Sequence, residues 1–393
     1  MIEKWPLMKN NILESDLLEL IEFLKLPDPK LTHGRKVKEF ENAWSNWLGV
    51  KYSVMVNSGA SANDLTIMAL REIHGIGEVV VPGLTWVSDV SAILNAGHKP
   101  IFVDVDLDTL AMNVKSVLNS LTPRTKAVFL THILGINGLS DELLYALDKN
   151  NVLLIEDACE SHGARHNNKK VGTFGWASNF SFYYAHHMTT IEGGMISTND
   201  YELYNLLLVL RSHGMARESN SIEYKNNIAK QYSDLNPDFI FMAPSHNMRP
   251  TEINGVLGLA QLKRLDVSIE KRHANFLRFL SLLDPKIFFT DLRIQGNSSY
   301  AFILILRQKN LKLRNLLESK LSEQGIEFRR GLSGGGNQLR QPYLRRLNSI
   351  PAPETLPNVD HVHHFAWYIG NYPDINPKIF DALKIALEDI ANI

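Results

Sequence analysis

Between residues 50 and 200 the chain repeatedly sets a short apolar run against a longer stretch of helical character. The runs span 52–56, 78–81, 100–105, 127–131, 152–155, 179–182 and 195–197. Runs this apolar have no polar face to give to water, so they read as strands covered by helices on both sides. The alternation therefore predicts an α/β architecture built on a large, mainly parallel sheet. Ligands of such sheets sit beyond the carboxyl ends of the strands, so chemistry is expected in the residues just past each run.

The remainder reads differently. Residues 1–30 are mixed and read as an entry arm with a short helix, and 213–248 are polar and irregular. Pro250 then opens a helical pattern with apolar positions at Ile253, Leu257, Leu262 and Leu265. Past 265 the pattern turns α+β: a strand at 301–306, a helix at 311–324, a strand at 326–328, a glycine-rich loop at 333–337 and a closing helix from 377. The 393 residues are ample for two domains, 1–262 large and 263–393 small.

Charge and cysteine content narrow the function classes. A net charge of −1 gives no global field for nucleic acid or an anionic membrane surface. No apolar run approaches the ~20 residues that span a bilayer, and the start of the chain does not read as a signal peptide. The single Cys159 can form neither an internal disulfide nor a four-cysteine iron–sulfur cluster, which points to the cytoplasm.

Three strand ends carry candidate binding groups. After the first run comes Asn57-Ser58-Gly59-Ala60-Ser61, a small-residue turn feeding a helix. Ser61 and Asp64 have capping-box spacing, and a helix start offers N–H groups and a positive dipole end to a phosphate. The same turn also serves as an ordinary βα connection. Ser181, on a later strand, could add a hydroxyl. Asp157 ends the run at 152–155, where it is either a helix cap or a buried carboxylate awaiting a cation such as a protonated pyridine nitrogen. Trp86, after another strand, either stacks on a flat ligand or packs in the core.

The segment 180–194, Phe-Ser-Phe-Tyr-Tyr-Ala-His-His-Met-Thr-Thr-Ile-Glu-Gly-Gly, is the most specific stretch. It resembles the signature of the DegT/DnrJ/EryC1/StrS family of nucleotide-sugar aminotransferases. In that signature a strand ending in Ser-Phe is followed by a lysine that holds the cofactor, and then by Glu-Gly-Gly. His186 stands at the lysine position. The resemblance extends to the turn at Gly59 and Ala60, to Trp86, and to the Glu-Asp strand end with Asp157 and Glu160. It extends also to Arg-x-His-Gly at Arg211–Gly214 and Asn-x-Arg-x-x-Glu at Asn247–Glu252. Ala60 departs from the Thr or Ser frequent in relatives, which leaves backbone groups to hold a phosphate there.

This resemblance implies an aspartate-aminotransferase-like, fold type I enzyme of pyridoxal 5′-phosphate and pyridoxamine 5′-phosphate. Gly59, Ala60, Trp86, Asp157, Glu160, Ser181 and Asn247 would bind the cofactor. His213, Arg249 and Arg329 would meet the substrate, with Arg329 and Arg330 following a strand of the small domain. Asn247 and Arg249 match residues that reach a neighbouring subunit, which implies a homodimer with shared sites. A His–His pair in place of lysine is similar to the sugar 3-dehydratases of the family. The segment 335–343 resembles a loop of both dehydratase branches, and the lone cysteine excludes the branch that needs an iron–sulfur cluster and its reductase. The remaining branch implies C3 deoxygenation of GDP-4-keto-6-deoxymannose with L-glutamate as amino donor and release of ammonia, for a deoxysugar of a lipopolysaccharide O-antigen. His186 would be the base, since imidazole cannot hold the cofactor covalently yet titrates near neutrality. His187 reads as a packing or hydrogen-bonding neighbour. A nucleotide-sugar 4-aminotransferase and a non-catalytic sensor or dead paralogue are the competing readings.

Overall fold

A computed structural model describes residues 4–347 and 349–391. The apolar runs become a seven-stranded sheet: β1 (Tyr52–Val56), β2 (Glu78–Pro82), β3 (Lys99–Val103), β4 (Thr125–Thr131), β5 (Leu153–Asp157), β6 (Ala177–Ser181) and β7 (Gly194–Thr198). Their order across the sheet is β1-β7-β6-β5-β4-β2-β3, and all are parallel except β7, which runs against both β1 and β6. β2, β6 and β7 are buried along their whole length, the condition that made the runs legible. Asp157 and Ser181 are the last residues of β5 and β6, which fixes both at the carboxyl edge.

Helices cover the sheet. α1 spans Glu14–Leu24, α2 Arg35–Leu48, α3 Gly59–His74 and α4 Val87–Asn95. Trp44 of α2 is fully buried, its ring 4.9 Å from Phe180 and 5.0 Å from Phe182. α3 does not begin where the capping-box spacing of Ser61 and Asp64 suggested. Ser58 is the cap: its extended backbone turns the chain off β1, and its hydroxyl accepts the Ser61 N–H at 3.0 Å. Ser61 turns its own hydroxyl back to Asn57, 2.6 Å away.

After α5 (Glu252–Leu262) and α6 (Leu265–Leu280) comes a three-stranded antiparallel sheet, with β10 (Ala366–Gly370) between β8 (Ala301–Ile305) and β9 (Phe328–Arg330). β9 lies two residues beyond the strand expected at 326–328. Ile326 pairs instead with Trp5 of the entry arm, whose indole N–H reaches the Gly370 carbonyl at 2.9 Å. Arg329 and Arg330 therefore lie within a strand rather than after one. The arm runs beside this second sheet and, through Asn11, touches the His186 carbonyl at 3.2 Å. No helix among the described residues is long and apolar enough to cross a membrane.

Candidate active site

A cavity of about 150 Å³ opens between the carboxyl ends of the large sheet and the second sheet with its arm. The strands that meet it contribute residues at or just past their ends: Gly59 and Ala60 after β1, Trp86 after β2, His132 after β4, and Asp157 and Ser181 themselves.

Gly59 and Ala60 open α3, so their N–H groups have no acceptor inside the helix. A side chain at Gly59 would meet Ser181 Cβ at 2.6 Å and Ser181 Oγ at 3.1 Å. Only glycine lets the turn lie against β6, and the contact sets the Ser181 hydroxyl beside the two free N–H groups. Gly194 answers the same constraint, since a Cβ there would stand 2.3 Å from the Ser58 carbonyl oxygen. These close approaches account for the small residues of the turn and the Gly-Gly after Glu192. Together they form an anion cradle of N–H donors, dipole and hydroxyl.

Asp157 is buried. It accepts the Cys159 N–H at 2.8 Å and the Asn63 side-chain amide at 3.3 Å, with no cationic ion-pair partner among the described residues. The chain after it forms turns, so no helix is capped there. A buried carboxylate facing a cavity suits a ligand that carries a ring N–H⁺. Trp86 is 47% exposed and lines the cavity, which places an open aromatic face where a flat ring can lie. Glu160 accepts the Leu134 N–H and the Ser333 hydroxyl, each at 3.0 Å, and burial pushes its carboxyl up to about 7.

His186 lines the same cavity with its ring 5.5 Å from that of Tyr300. Burial lowers its pKa to about 4, against the pull of Asp157, so the imidazole is neutral and free to accept a proton. His187 points away, its Nε2 2.9 Å from the Ser298 carbonyl oxygen, in the hydrogen-bonding role expected of it. His162 was not singled out by the sequence. It is fully buried between Trp44, Phe180 and the two neighbouring histidines, and desolvation holds it neutral. The three rings form no metal site.

Arg329 enters the cavity from β9, opposite Tyr368 of β10. Arg330 is paired with Glu318 at 3.3 Å. Other cavity groups escaped the sequence altogether: Lys9 on the arm, Arg272 of α6, Tyr300 and Tyr372. His213, Asn247 and Arg249 lie outside this cavity within one chain. His213 borders a separate shallow depression with Phe241 and Ser245, and its N–H bonds the His246 carbonyl at 2.9 Å. The Asn247 side chain accepts the Arg249 N–H at 3.2 Å. Two neighbouring motif residues hold structure: Arg211 pairs with buried Glu41 at 2.6 Å, and Glu252 takes the Lys36 and Val37 N–H groups at the start of α2.

The family model described as the DegT/DnrJ/EryC1/StrS aminotransferase family matches residues 14–383. The chain belongs to this family. Among its relatives, GDP-4-keto-6-deoxy-D-mannose 3-dehydratase of Escherichia coli O55:H7 is 32% identical over 382 residues, 95% of this chain and 96% of that protein. A crystal structure of GDP-4-keto-6-deoxymannose-3-dehydratase, a histidine-to-asparagine variant with bound GDP-perosamine, superposes with a TM-score of 0.88 at 30% identity, covering 98% of this chain and all of that one. The same enzyme with a trapped PLP-glutamate geminal diamine gives 0.85 at 29% identity, over 97% of this chain and all of that one. The large mainly parallel sheet and the smaller α+β half are thus the family fold.

Proposed function

We propose that this family member is a pyridoxal-phosphate-dependent sugar 3-dehydratase. Its substrate would be a nucleotide-linked 4-keto-6-deoxyhexose, with GDP-4-keto-6-deoxymannose preferred from its relatives. L-Glutamate would load the amine, and the products would be a 4-keto-3,6-dideoxy sugar, 2-oxoglutarate and ammonia. The observation that carries this is His186: it lines the cavity, and it holds the place where the resemblance expects a lysine, while the one lysine among the described residues lining that cavity, Lys9, sits on the arm over Tyr372.

The residues fit the cofactor. Gly59, Ala60 and Ser181 would hold its phosphate, Asp157 its ring nitrogen and Trp86 its face, while Glu160 borders the same space. When bound, the cofactor supplies an electron sink and a primary amine. His186 takes and returns the proton at the cofactor's C4′, and its neutral resting state suits that task. His186 carries no ε-amine, so the chain would offer nothing at that position to displace a product amine from the cofactor. Arg329 offers a planar fork to phosphate or carboxylate oxygens. In the homodimer, Asn247, Arg249 and His213 of one chain would complete the cavity of the other. Residues 1–262 would form the cofactor domain and 263–393 the smaller domain, a division supported by the break between α5 and α6 at Lys263 and Arg264. The cytoplasm, where nucleotide sugars are made, is the setting this chemistry asks for.

A 4-aminotransferase is the second reading, favoured by the family's own description. Purified protein incubated with pyridoxal phosphate, glutamate and a panel of nucleotide-linked 4-keto-6-deoxy sugars separates the two. Mass spectrometry should show a keto sugar short of one oxygen. An amino sugar would establish the transferase, and no turnover of any sugar together with no oxidation of glutamate would favour a sensor.

A further inference from the structure

Beneath Asp157 lies a second buried carboxyl, Asp89 of α4, fully enclosed and facing Asp157. No cation among the described residues is bonded to either group. Two ionised carboxylates side by side in a dry interior repel each other, and each loses its hydration. The surrounding donors show where the missing proton lies. The Asn63 side-chain nitrogen has two hydrogens and three acceptors, Asp89 Oδ1 at 2.6 Å, Ser88 Oγ at 3.0 Å and Asp157 Oδ2 at 3.3 Å, so the farthest is Asp157. On the other side, Asp89 Oδ2, Thr85 Oγ1 and Thr131 Oγ1 are all in mutual contact. Thr131 lies 2.9 Å from Asp89 and 2.7 Å from Thr85, and Thr85 also bonds Asp89 directly. Each threonine hydroxyl can donate to Asp89 Oδ2, so that oxygen has its donors and the proton of a neutral Asp89 is left for the side that faces Asp157.

We infer that Asp89 is a positioning residue: as a neutral carboxylic acid it supplies the missing donor, hydrogen-bonds the Asp157 carboxylate and leaves the pair a single negative charge, held on the residue that faces the cavity. Burial, then the charge of Asp157, raises Asp89 well above the usual carboxylate range. The other titratable groups that sense Asp89, Cys159 and Tyr343, carry no positive charge that would favour its ionised form. The segment 335–343 braces the arrangement from outside. Gln338 donates to the Thr85 carbonyl at 3.0 Å and accepts from Tyr343 at 3.0 Å. The consequence for a ring-nitrogen ligand is one fixed carboxylate in place of two competing ones.

The role rests on reading Asp157 as the partner of the cofactor ring, but its first test needs no cofactor. Infrared spectra of the cofactor-free protein, taken above the titration of Glu160, should show the C=O stretch of a protonated carboxylic acid that vanishes in Asp89→Asn. Absence of that band from the unmodified protein overturns the inference and leaves the dehydratase reading intact. Pyridoxal phosphate binding, tracked by quenching of tryptophan fluorescence, supplies the second test. Asp89→Asn keeps a neutral donor and should bind within about threefold of the unmodified protein, while Asp89→Ala removes the donor and should bind about tenfold more weakly. Equal affinities for the asparagine and alanine variants, both folded by circular dichroism, would also overturn it.

Discussion

The two walls of the cavity are built on opposite plans. Behind the wall made by the large sheet, Asp157, Asp89, Asn63, Thr85 and Thr131 hold one another in a connected network before any ligand arrives. The wall made by the second sheet and the arm keeps groups in reserve. Arg329 has no carboxylate partner among the described residues, and the buried Nε of Arg272 has no acceptor. A network already connected holds one geometry and suits a group that is always the same, such as a cofactor ring and phosphate. Cations with donors to spare suit a variable, anionic partner that completes them on arrival. Constant chemistry would then fall to one wall and the choice of substrate to the other, with His186 between them.

The largest expected effect strikes where the walls meet. Asparagine at His186 keeps the size and removes the base, so turnover should fall by about 10²–10⁴ while pyridoxal phosphate still binds. Retained turnover in His186→Asn would sink the proton-transfer role. Next, Asp157→Asn and Arg329→Ala should split cleanly. The first should weaken cofactor binding by roughly 10- to 100-fold, as loss of a charge-assisted bond does. The second should leave cofactor affinity alone and raise the KM for an anionic substrate by a similar factor. If Arg329→Ala loses cofactor instead, the division between the walls is wrong.

A smaller effect concerns stability. His162, His186 and His187 are neutral when folded and bind protons near pH 6.5 when unfolded. Below that value the unfolded state carries more protons, so stability should decline as the pH falls through 6.5 toward 4. Glu160 opposes this between 4.5 and about 7, since its folded carboxyl holds a proton longer. His162→Leu removes one of the three imidazoles. Its melting temperature should depend less steeply on pH over the acid range, and an unchanged slope would show that His162 is not held neutral.

Much of the first wall was legible in the sequence. Strands buried on both faces announce themselves as apolar runs, and the α/β rule points to their ends, where Gly59, Trp86, Asp157 and Ser181 lie. The exceptions have physical causes. Asp89 sits in the first turn of α4, where an acidic residue reads as a partner for the helix dipole. Its burial beneath Asp157 depends on two strands and a helix that sequence spacing does not relate. His162 carries no periodic signal that separates it from a core aromatic. The second wall was almost silent, because Arg272 lies between charged neighbours on a helix, and Tyr300 and Tyr372 flank strands as tyrosines often do. Arg329 was singled out, yet its strand was shifted by the pairing of Ile326 with the arm, a contact between residues over three hundred positions apart.

The central claim is that a histidine in place of lysine turns amine transfer into loss of a hydroxyl. Its most direct measurement traces the nitrogen. With glutamate labelled in heavy nitrogen and GDP-4-keto-6-deoxymannose as acceptor, the label should appear as free ammonia, one per sugar consumed, and the sugar product should contain none. Label retained in the sugar, with no ammonia released, would contradict the account.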